Sequence, residues 1–199
     1  MIIFATPIGE ESRMLNPNSF IFVGNSTSRA MVLKAIKHWE EKTCLKFVPI
    51  SFISKEQRPV HYFGTIVHEI GHTIGFFHEH ARRDRGEYIN INTDNVKEDF
   101  ISNFQEAVYS VNTTMYDLGS NISTTALFVL RIDTHNDVKK ISPLNYNEYI
   151  IQFFSSNGKN TITSKDPDLS FLMGRRLGLT FLDTKAANLA YKCKGRSIV

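Results

Sequence analysis

Four of the chain's seven histidines lie within the thirteen residues HEIGHTIGFFHEH, positions 68–80. His68 and His72 are four residues apart, so on an α-helix both imidazoles lie on one face, with about 6 Å of rise between their Cα atoms. At that spacing two ring nitrogens can reach one zinc ion at about 2.0–2.1 Å. The pair therefore predicts a metal site.

Glu69 follows His68 directly and projects beside the histidine pair, where it can take a proton from a metal-bound water without being a ligand. A helix continued through Gly75 would carry His78 too far along its axis. A glycine can adopt positive φ, end the helix and turn the chain back, which makes His78 the third ligand. Three histidines plus water form an open, catalytic type of zinc site, because a structural site fills all four positions.

The complete pattern H-E-x-x-H-x-x-G-x-x-H sets five residue types at defined positions. A chance match in a chain of 199 residues has a probability on the order of one in ten thousand. The alternative is that these histidines lie on a solvated helix without metal. His61, His80 and His135 have no such context, and we interpret them as ordinary surface or core residues.

Hydrophobic periodicity predicts the elements that must position these residues. Val32, Ala35 and Trp39 fall at helical spacing, which indicates that Trp39 belongs to the core. The helix that bears the histidine pair is predicted to begin near Thr65 and to end at Gly75. The predicted elements are helices over 28–42, 65–75, 94–104 and 183–192, the last capped by Asp183, and a strand over 44–53.

Length and composition are those of one globular domain with a sizeable core. The formal net charge of +3 is too small, and the basic residues too scattered, to indicate nucleic-acid binding. No apolar run approaches the roughly 20 residues of a membrane span. The N-terminal MIIFATPIGEESR lacks a basic start and a full apolar core, so it is not a convincing signal peptide. Cys44 and Cys193 are either unrelated buried thiols or, in an oxidising compartment, a disulfide.

The segment TIVHEIGHTIGFFHEHARRDRGEYI, 65–89, closely resembles the zinc-binding region of the astacins, secreted zinc endopeptidases of the metzincin group. AIKHWEEKTCLKFVP resembles the family's first long helix and first cysteine. FSSNGKNTITSKDP and GLTFLDTKAANLAYKC resemble its C-terminal part, which ends at the last cysteine. The resemblance covers most of the chain and excludes about residues 1–25, 50–60 and 121–152.

The resemblance implies an α+β fold, a two-lobed metzincin-like catalytic domain. A twisted sheet and two long helices form the upper lobe, and an irregular lobe with a C-terminal helix lies below. The astacin-like peptidase domain is predicted to span 26–199, preceded by an irregular N-terminal segment, 1–25. Residues 121–152 are predicted to be an atypical insertion within that domain, which is either a retained intron or mis-joined exon or a genuine divergent insertion.

The resemblance also implies a function, zinc-dependent hydrolysis of peptide bonds in protein or peptide substrates. His68, His72 and His78 would bind one Zn²⁺ ion, and Glu69 would act as general base towards the metal-bound water. No nucleic-acid partner and no membrane span are expected.

Three further expectations come from the resemblance alone. The first and last cysteines of astacins pair, which predicts a Cys44–Cys193 disulfide. Glu79, after the third histidine, corresponds to the residue that anchors the new N-terminus after activation. Astacins mature outside the cell, so the protein is expected to be secreted, although we find no signal peptide in this chain.

The chain also departs from the family pattern. YDLGS, 116–120, matches the lead-in to the Met-turn, but NISTTALFVL follows where astacins have S-x-M-H-Y. The methionine beneath the zinc and the tyrosine that donates a transition-state hydrogen bond are therefore missing, and Met115 and Tyr116 are not assigned to those roles. Residues 50–60 are too few for the family's strands in that region. The alternative function is accordingly a catalytically inactive zinc-binding module that binds peptides or protein partners.

Overall fold

A computed structural model describes the backbone of residues 2–7, 26–50, 63–107, 113–122 and 154–194. The chain divides into two compact units. The first unit comprises Met1–Phe76 with Arg176–Val199, and the second comprises Phe77–Arg175. Among the described residues, no helix is both long enough and apolar enough to span a membrane.

The first unit contains three α-helices and one pair of strands within its described residues. The strands are antiparallel, with Ile2 opposite Ile50 and Pro7 opposite Leu45. Residues 1–25 are predicted to be irregular, but the structure has a strand there, which pairs with a segment far away in sequence. The elements are β1 (Ile2–Pro7), α1 (Ser26–Lys42), β2 (Leu45–Ile50), α2 (Phe63–Thr73) and α3 (Phe181–Ala190).

Trp39 joins α1 to α2 in the core of the first unit. Its ring is fully buried, as the helical periodicity predicts, together with Val32 and Ala35 of the same face. The indole Nε1–H donates a hydrogen bond of 2.9 Å to the carbonyl oxygen of Val67 in α2. A buried tryptophan adds a large apolar area to the core, and its one polar atom is satisfied here by the neighbouring helix.

The helix α3 begins with a capping box. The Thr180 hydroxyl oxygen accepts a hydrogen bond from the Asp183 amide at 3.0 Å, and the Asp183 carboxylate accepts one from the Thr180 amide at 3.1 Å. The capping residue is therefore Thr180, and the prediction that Asp183 caps this helix is wrong by three positions. Asp183 instead supplies the reciprocal bond within the first turn.

The C-terminal helix α3 groups with the helical unit and not with the irregular one. Three long-range links to residues in or next to α1, β2 and α2 explain this placement. They are the Cys44–Cys193 disulfide, a hydrogen bond from Asn188 Nδ2 to the Lys42 carbonyl at 3.1 Å, and one from the Tyr191 hydroxyl to the Ile74 carbonyl at 2.8 Å. A sequence resemblance indicates that the helix exists, but such links decide which elements it contacts.

Within its described residues, the second unit contains short 3₁₀ turns and two antiparallel strands, β3 (Ile89–Ile91) and β4 (Ile162–Ser164). A helix is predicted over 94–104, and this prediction is wrong. The structure has 3₁₀ turns at Thr93–Asn95 and Glu98–Phe104, with extended backbone at Val96.

Pairing with a distant segment explains why the predicted helix does not form. Val96 forms an antiparallel bridge with Ser155, and the Lys97 amide donates to the Phe154 carbonyl at 2.9 Å. Those bonds replace the i→i−4 bonds of an α-helix at the same residues. Val96 and Phe104 of this segment are nevertheless buried in one apolar cluster, and Phe100 packs against it. The buried members of the cluster are Ile89, Val96, Phe104, Tyr116, Leu118, Ile162 and Met173.

His38 connects α1 to the segment that precedes α3. The Leu179 amide donates a hydrogen bond to His38 Nε2 at 3.0 Å, so this nitrogen must be unprotonated. A Cβ atom at Gly178, where φ is +137°, would lie 2.8 Å from the same Nε2 atom, so the close approach requires glycine. Burial, together with Lys42, lowers the pKa of His38.

This contact predicts a loss of stability in mild acid. The unfolded chain protonates His38 at its ordinary pKa of about 6.5. The folded chain resists protonation, so the stabilising contribution is present above that pH and is lost as the pH falls through the lowered folded pKa. We expect the free energy of unfolding to fall more steeply between pH 7.5 and 5.5 for the wild type than for His38→Gln. Equal slopes in urea unfolding of the two proteins would contradict the prediction.

Candidate metal centre

The helix α2 is buried on most of its circumference. Ile66, Val67 and Ile70 are fully buried, and so is His68. At its start the helix packs directly on backbone, since a Cβ atom at Gly64 would collide with the carbonyl oxygen of Arg176. This surrounding core holds the helix that carries the histidine pair in one position.

His68 and His72 project from the same face of α2, as their spacing predicts. Their Nε2 atoms lie 2.8 Å apart, and the ring centroids are 4.5 Å apart. Two nitrogens bound to one tetrahedral zinc at about 2.05 Å lie about 3.3 Å apart. A small movement of the two rings away from each other would therefore accommodate the ion. The donor set and its spacing therefore fit zinc.

A backbone contact orients His72. Its Nδ1 atom lies 2.8 Å from the Phe76 carbonyl oxygen, so Nδ1 carries the proton and donates a hydrogen bond to that oxygen. The Nε2 atom is then left with the free lone pair that a metal ligand requires, which is the usual arrangement around protein-bound zinc. Burial lowers the pKa of His72, and this also favours the neutral ring.

Gly75 ends α2 in the way that the sequence predicts. Its φ is +93°, and α2 stops at Thr73. The Phe76 amide donates to the Gly71 carbonyl and the Gly75 amide donates to the His72 carbonyl, both at 3.0 Å. These two bonds are those of a Schellman motif with glycine in the left-handed position.

His78 follows this turn at the start of the 3₁₀ turn Glu79–Ala81. His68, His72 and His78 each offer one ring nitrogen, and these atoms all lie within 4.8 Å of one another. The structure therefore brings together the three histidines that the sequence pattern singles out. Within the described residues, they are the one group of three or more His, Cys, Asp or Glu side chains so arranged.

Glu69 lies beside the histidine pair in a mostly buried environment. Burial raises the pKa of its carboxyl group to about 7, and the positive charge of Arg176 acts in the opposite direction. The Arg176 guanidinium also donates to the Thr65 hydroxyl at 2.9 Å. Arg176 is not recognisable from the sequence as a neighbour of Glu69, because more than a hundred residues separate the two and no local pattern links them.

Glu79 belongs to a cluster around a buried arginine. Its Oε1 atom accepts from Arg82 Nη1 at 2.9 Å and from the Asp117 amide at 2.8 Å. Arg82 also donates to Asp84 at 2.7 Å, and hydrogen bonding to Arg82 lowers the pKa of Asp84. The anchoring of a new N-terminus by Glu79 stays a prediction.

The residues around the predicted Met-turn lead-in are described only as far as Ile122. Met115 is 75% exposed, whereas Tyr116 is 7% exposed and stacks on Tyr88 with ring centroids 4.6 Å apart. The Ile122 carbonyl accepts a 3.4 Å hydrogen bond from the Glu79 amide. The predicted insertion beyond Ile122, and residues 51–62, lie outside the described part of the chain.

The site thus combines two histidines one turn apart on a buried helix, a glutamate beside them and a third histidine after a glycine turn. Comparisons with known proteins show which family the chain resembles. A family model described as Astacin, a peptidase family, matches residues 53–142, which includes part of the predicted insertion. Over these residues the chain is similar to the astacin family.

Two relatives and one solved structure illustrate the match. Protein SpAN of Strongylocentrotus purpuratus is 34% identical over 201 residues, which cover 85% of this chain and 29% of SpAN. Zinc metalloproteinase nas-34 of Caenorhabditis elegans is 29% identical over 205 residues, 86% of this chain and 30% of the relative. The chain therefore spans less than a third of the length of these relatives.

The fold is similar to that of high choriolytic enzyme 1, a hatching enzyme zinc-protease from the medaka Oryzias latipes. The TM-score is 0.65 at 22% sequence identity, over 91% of this chain and 94% of the other. At this identity the likeness concerns the fold, and it confirms the α+β, metzincin-like architecture.

Proposed function

We propose that this chain is a zinc-dependent endopeptidase in which His68, His72 and His78 bind one zinc ion. The observation that carries the proposal is the convergence of the three ring nitrogens within 4.8 Å. Glu69 stands next to the first of these histidines and is not a member of the group. Three neutral imidazoles leave one coordination position open, which is typical of catalytic zinc sites.

Glu69 is the general base in this proposal. Zinc held by the three histidines would act as a Lewis acid, which would polarise the scissile carbonyl and lower the pKa of a water molecule. The Glu69 carboxylate takes a proton from that water and returns it to the leaving amine. The hydrogen bond from His72 Nδ1 to the Phe76 carbonyl keeps that ring turned towards the site during these transfers.

Protein or peptide substrates and a secreted location complete the proposal. One of the two relatives is named a zinc metalloproteinase, and the family is one of peptidases. The Cys44–Cys193 disulfide supports an oxidising compartment, because such bonds persist outside the cytosol. We also propose that 26–199 forms one peptidase domain with 121–152 as an insertion, preceded by the N-terminal segment 1–25, whose strand β1 pairs with β2 of that domain.

One observation favours the alternative, a zinc-binding module without catalysis. Residues after Ser120 read Asn121-Ile122-Ser123, so the S-x-M-H-Y sequence that supplies a tyrosine donor in the family is absent from this position. Losing one transition-state donor typically lowers the rate by about 10²–10³. Such a loss weakens hydrolysis without removing zinc.

The deciding experiment measures zinc content and casein cleavage on the same oxidatively refolded sample. We expect one zinc per chain after dialysis, and cleavage that stops on chelation and returns with zinc. The His38→Gln variant is the control and should bind zinc and cleave casein as the wild type does, because this histidine lies outside the metal centre. Zinc without cleavage would favour the inactive module, and a chain without zinc would contradict both functions.

A further inference from the structure

His80 packs against the third predicted ligand. Its ring stacks on the His78 ring with centroids 5.1 Å apart and an interplanar angle of 18°. The sequence pattern assigns no role to His80, which is 5% exposed. A near-parallel contact with a buried ring restricts the rotation of His78 about its side-chain bonds.

The His80 ring is itself held in place from several directions. Its Nε2–H donates to the Asn103 carbonyl at 3.0 Å, and the Phe104 ring lies 5.8 Å away at a tilt of 49°. The carbonyl oxygen of His80 accepts a 2.9 Å hydrogen bond from Arg85 Nη1. A ring supported in this way is a rigid surface for the neighbouring His78.

The second ring nitrogen of His80, Nδ1, takes no part in the contacts of the ring. Nδ1 is buried and has no hydrogen-bond partner among the described residues. Because Nε2 carries the proton, Nδ1 offers only a lone pair, and an unsatisfied buried acceptor is unfavourable. The hydrogen bond to Asn103 therefore uses Nε2 alone, and the contact with His78 is made by the flat face of the ring.

We propose that His80 is a positioning residue whose stacked ring holds His78 in the orientation needed for metal binding. The inference rests on the proposed function, since it takes His78 as the third ligand. Residues that orient metal ligands typically affect affinity by about 10–100-fold when replaced. The effect expected here acts through the ring face and not through a hydrogen bond.

Three variants separate the ring face from the hydrogen bond. His80→Phe keeps a flat ring and loses the bond to Asn103, whereas His80→Gln keeps a donor and loses the ring. His80→Ala loses both. Zinc affinity is measured by competition with a chromophoric chelator, the ligand geometry by the absorption spectrum of the Co²⁺-substituted protein, and the fold by thermal unfolding of the metal-free proteins.

We expect His80→Phe to bind zinc within about threefold of the wild type, and His80→Gln and His80→Ala to bind about tenfold or more weakly with altered Co²⁺ spectra. The affinity order should not follow the order of the unfolding temperatures. Tight binding by His80→Gln with weak binding by His80→Phe would overturn the inference, and so would equal affinity in all three variants.

A metal-free measurement keeps this inference separate from the proposed function. The ring protons of His78, observed by NMR in the metal-free protein, should be shifted upfield by the stacked ring in the wild type and in His80→Phe. They should move to ordinary positions in His80→Gln and His80→Ala. A wild type that binds no zinc would refute the proposed function, while unchanged His78 shifts in His80→Ala would refute the stacking role.

Discussion

Replacing Glu69 with glutamine is expected to abolish casein cleavage while leaving zinc bound. A positioned general base typically contributes about 10²–10⁴ in rate, and glutamine cannot take the proton. The amide has nearly the volume of the carboxyl group, and Glu69 is not one of the three residues whose ligand atoms converge. The measurement is cleavage rate with zinc content on the same preparation.

The unfolding temperature of Glu69→Gln distinguishes the loss of the general base from damage to the fold. Burial raises the pKa of Glu69 to about 7, which shows that its charged form is disfavoured at this place. A neutral glutamine should therefore not lower the unfolding temperature at pH 8. Glu41→Gln removes the same charge from the exposed ion pair with Lys37 and should keep full activity. Full activity in Glu69→Gln, or loss of its zinc, would contradict the assignment.

Removing the Cys44–Cys193 disulfide is expected to have the largest effect on stability. The two cysteines are 149 residues apart. In the chain-entropy model, a disulfide that closes a loop of that length stabilises the folded state by about 5 kcal/mol. Domains of this size are stable by only about 5–15 kcal/mol, so the loss is a large part of the total. The bond joins Cys44, directly before β2, to Cys193, after α3, so the first unit should unfold first.

A set of alanine variants tests the covalent link directly. Cys44→Ala, Cys193→Ala and the double variant each open the same loop, so the three should lose similar free energy in denaturant unfolding. Chemical reduction of the wild type should have the same effect. Single variants whose losses add up in the double variant would show that the two thiols act independently, and the disulfide prediction would then be wrong.

Local patterns account for the elements that the sequence predicts well. The turn at Gly75 depends on the freedom of one glycine and on hydrogen bonds within six residues, so its position follows from the chain itself. The burial of Trp39 likewise follows from helical periodicity over a few turns. Such signals need no knowledge of distant contacts.

Errors occur where distant segments compete with local preference. The apolar spacing of 94–104 predicts a helix, but pairing of Val96 with Ser155 gives extended backbone there. The pairing of β1 with β2 has the same character, since neither strand forms a sheet without the other. Long-range hydrogen bonds decide such cases, and they leave little trace in the local pattern of residues.

By itself, the sequence determined the helix-borne pair His68 and His72, the glycine turn after it and the resemblance to the astacins, because residue type and short spacing are enough for each. Only the tertiary structure decided which groups surround them. The stacking of His80 on His78 and the approach of Arg176 to α2 both arise from packing. Such contacts depend on how a folded chain fills space, a property that no short stretch of sequence contains.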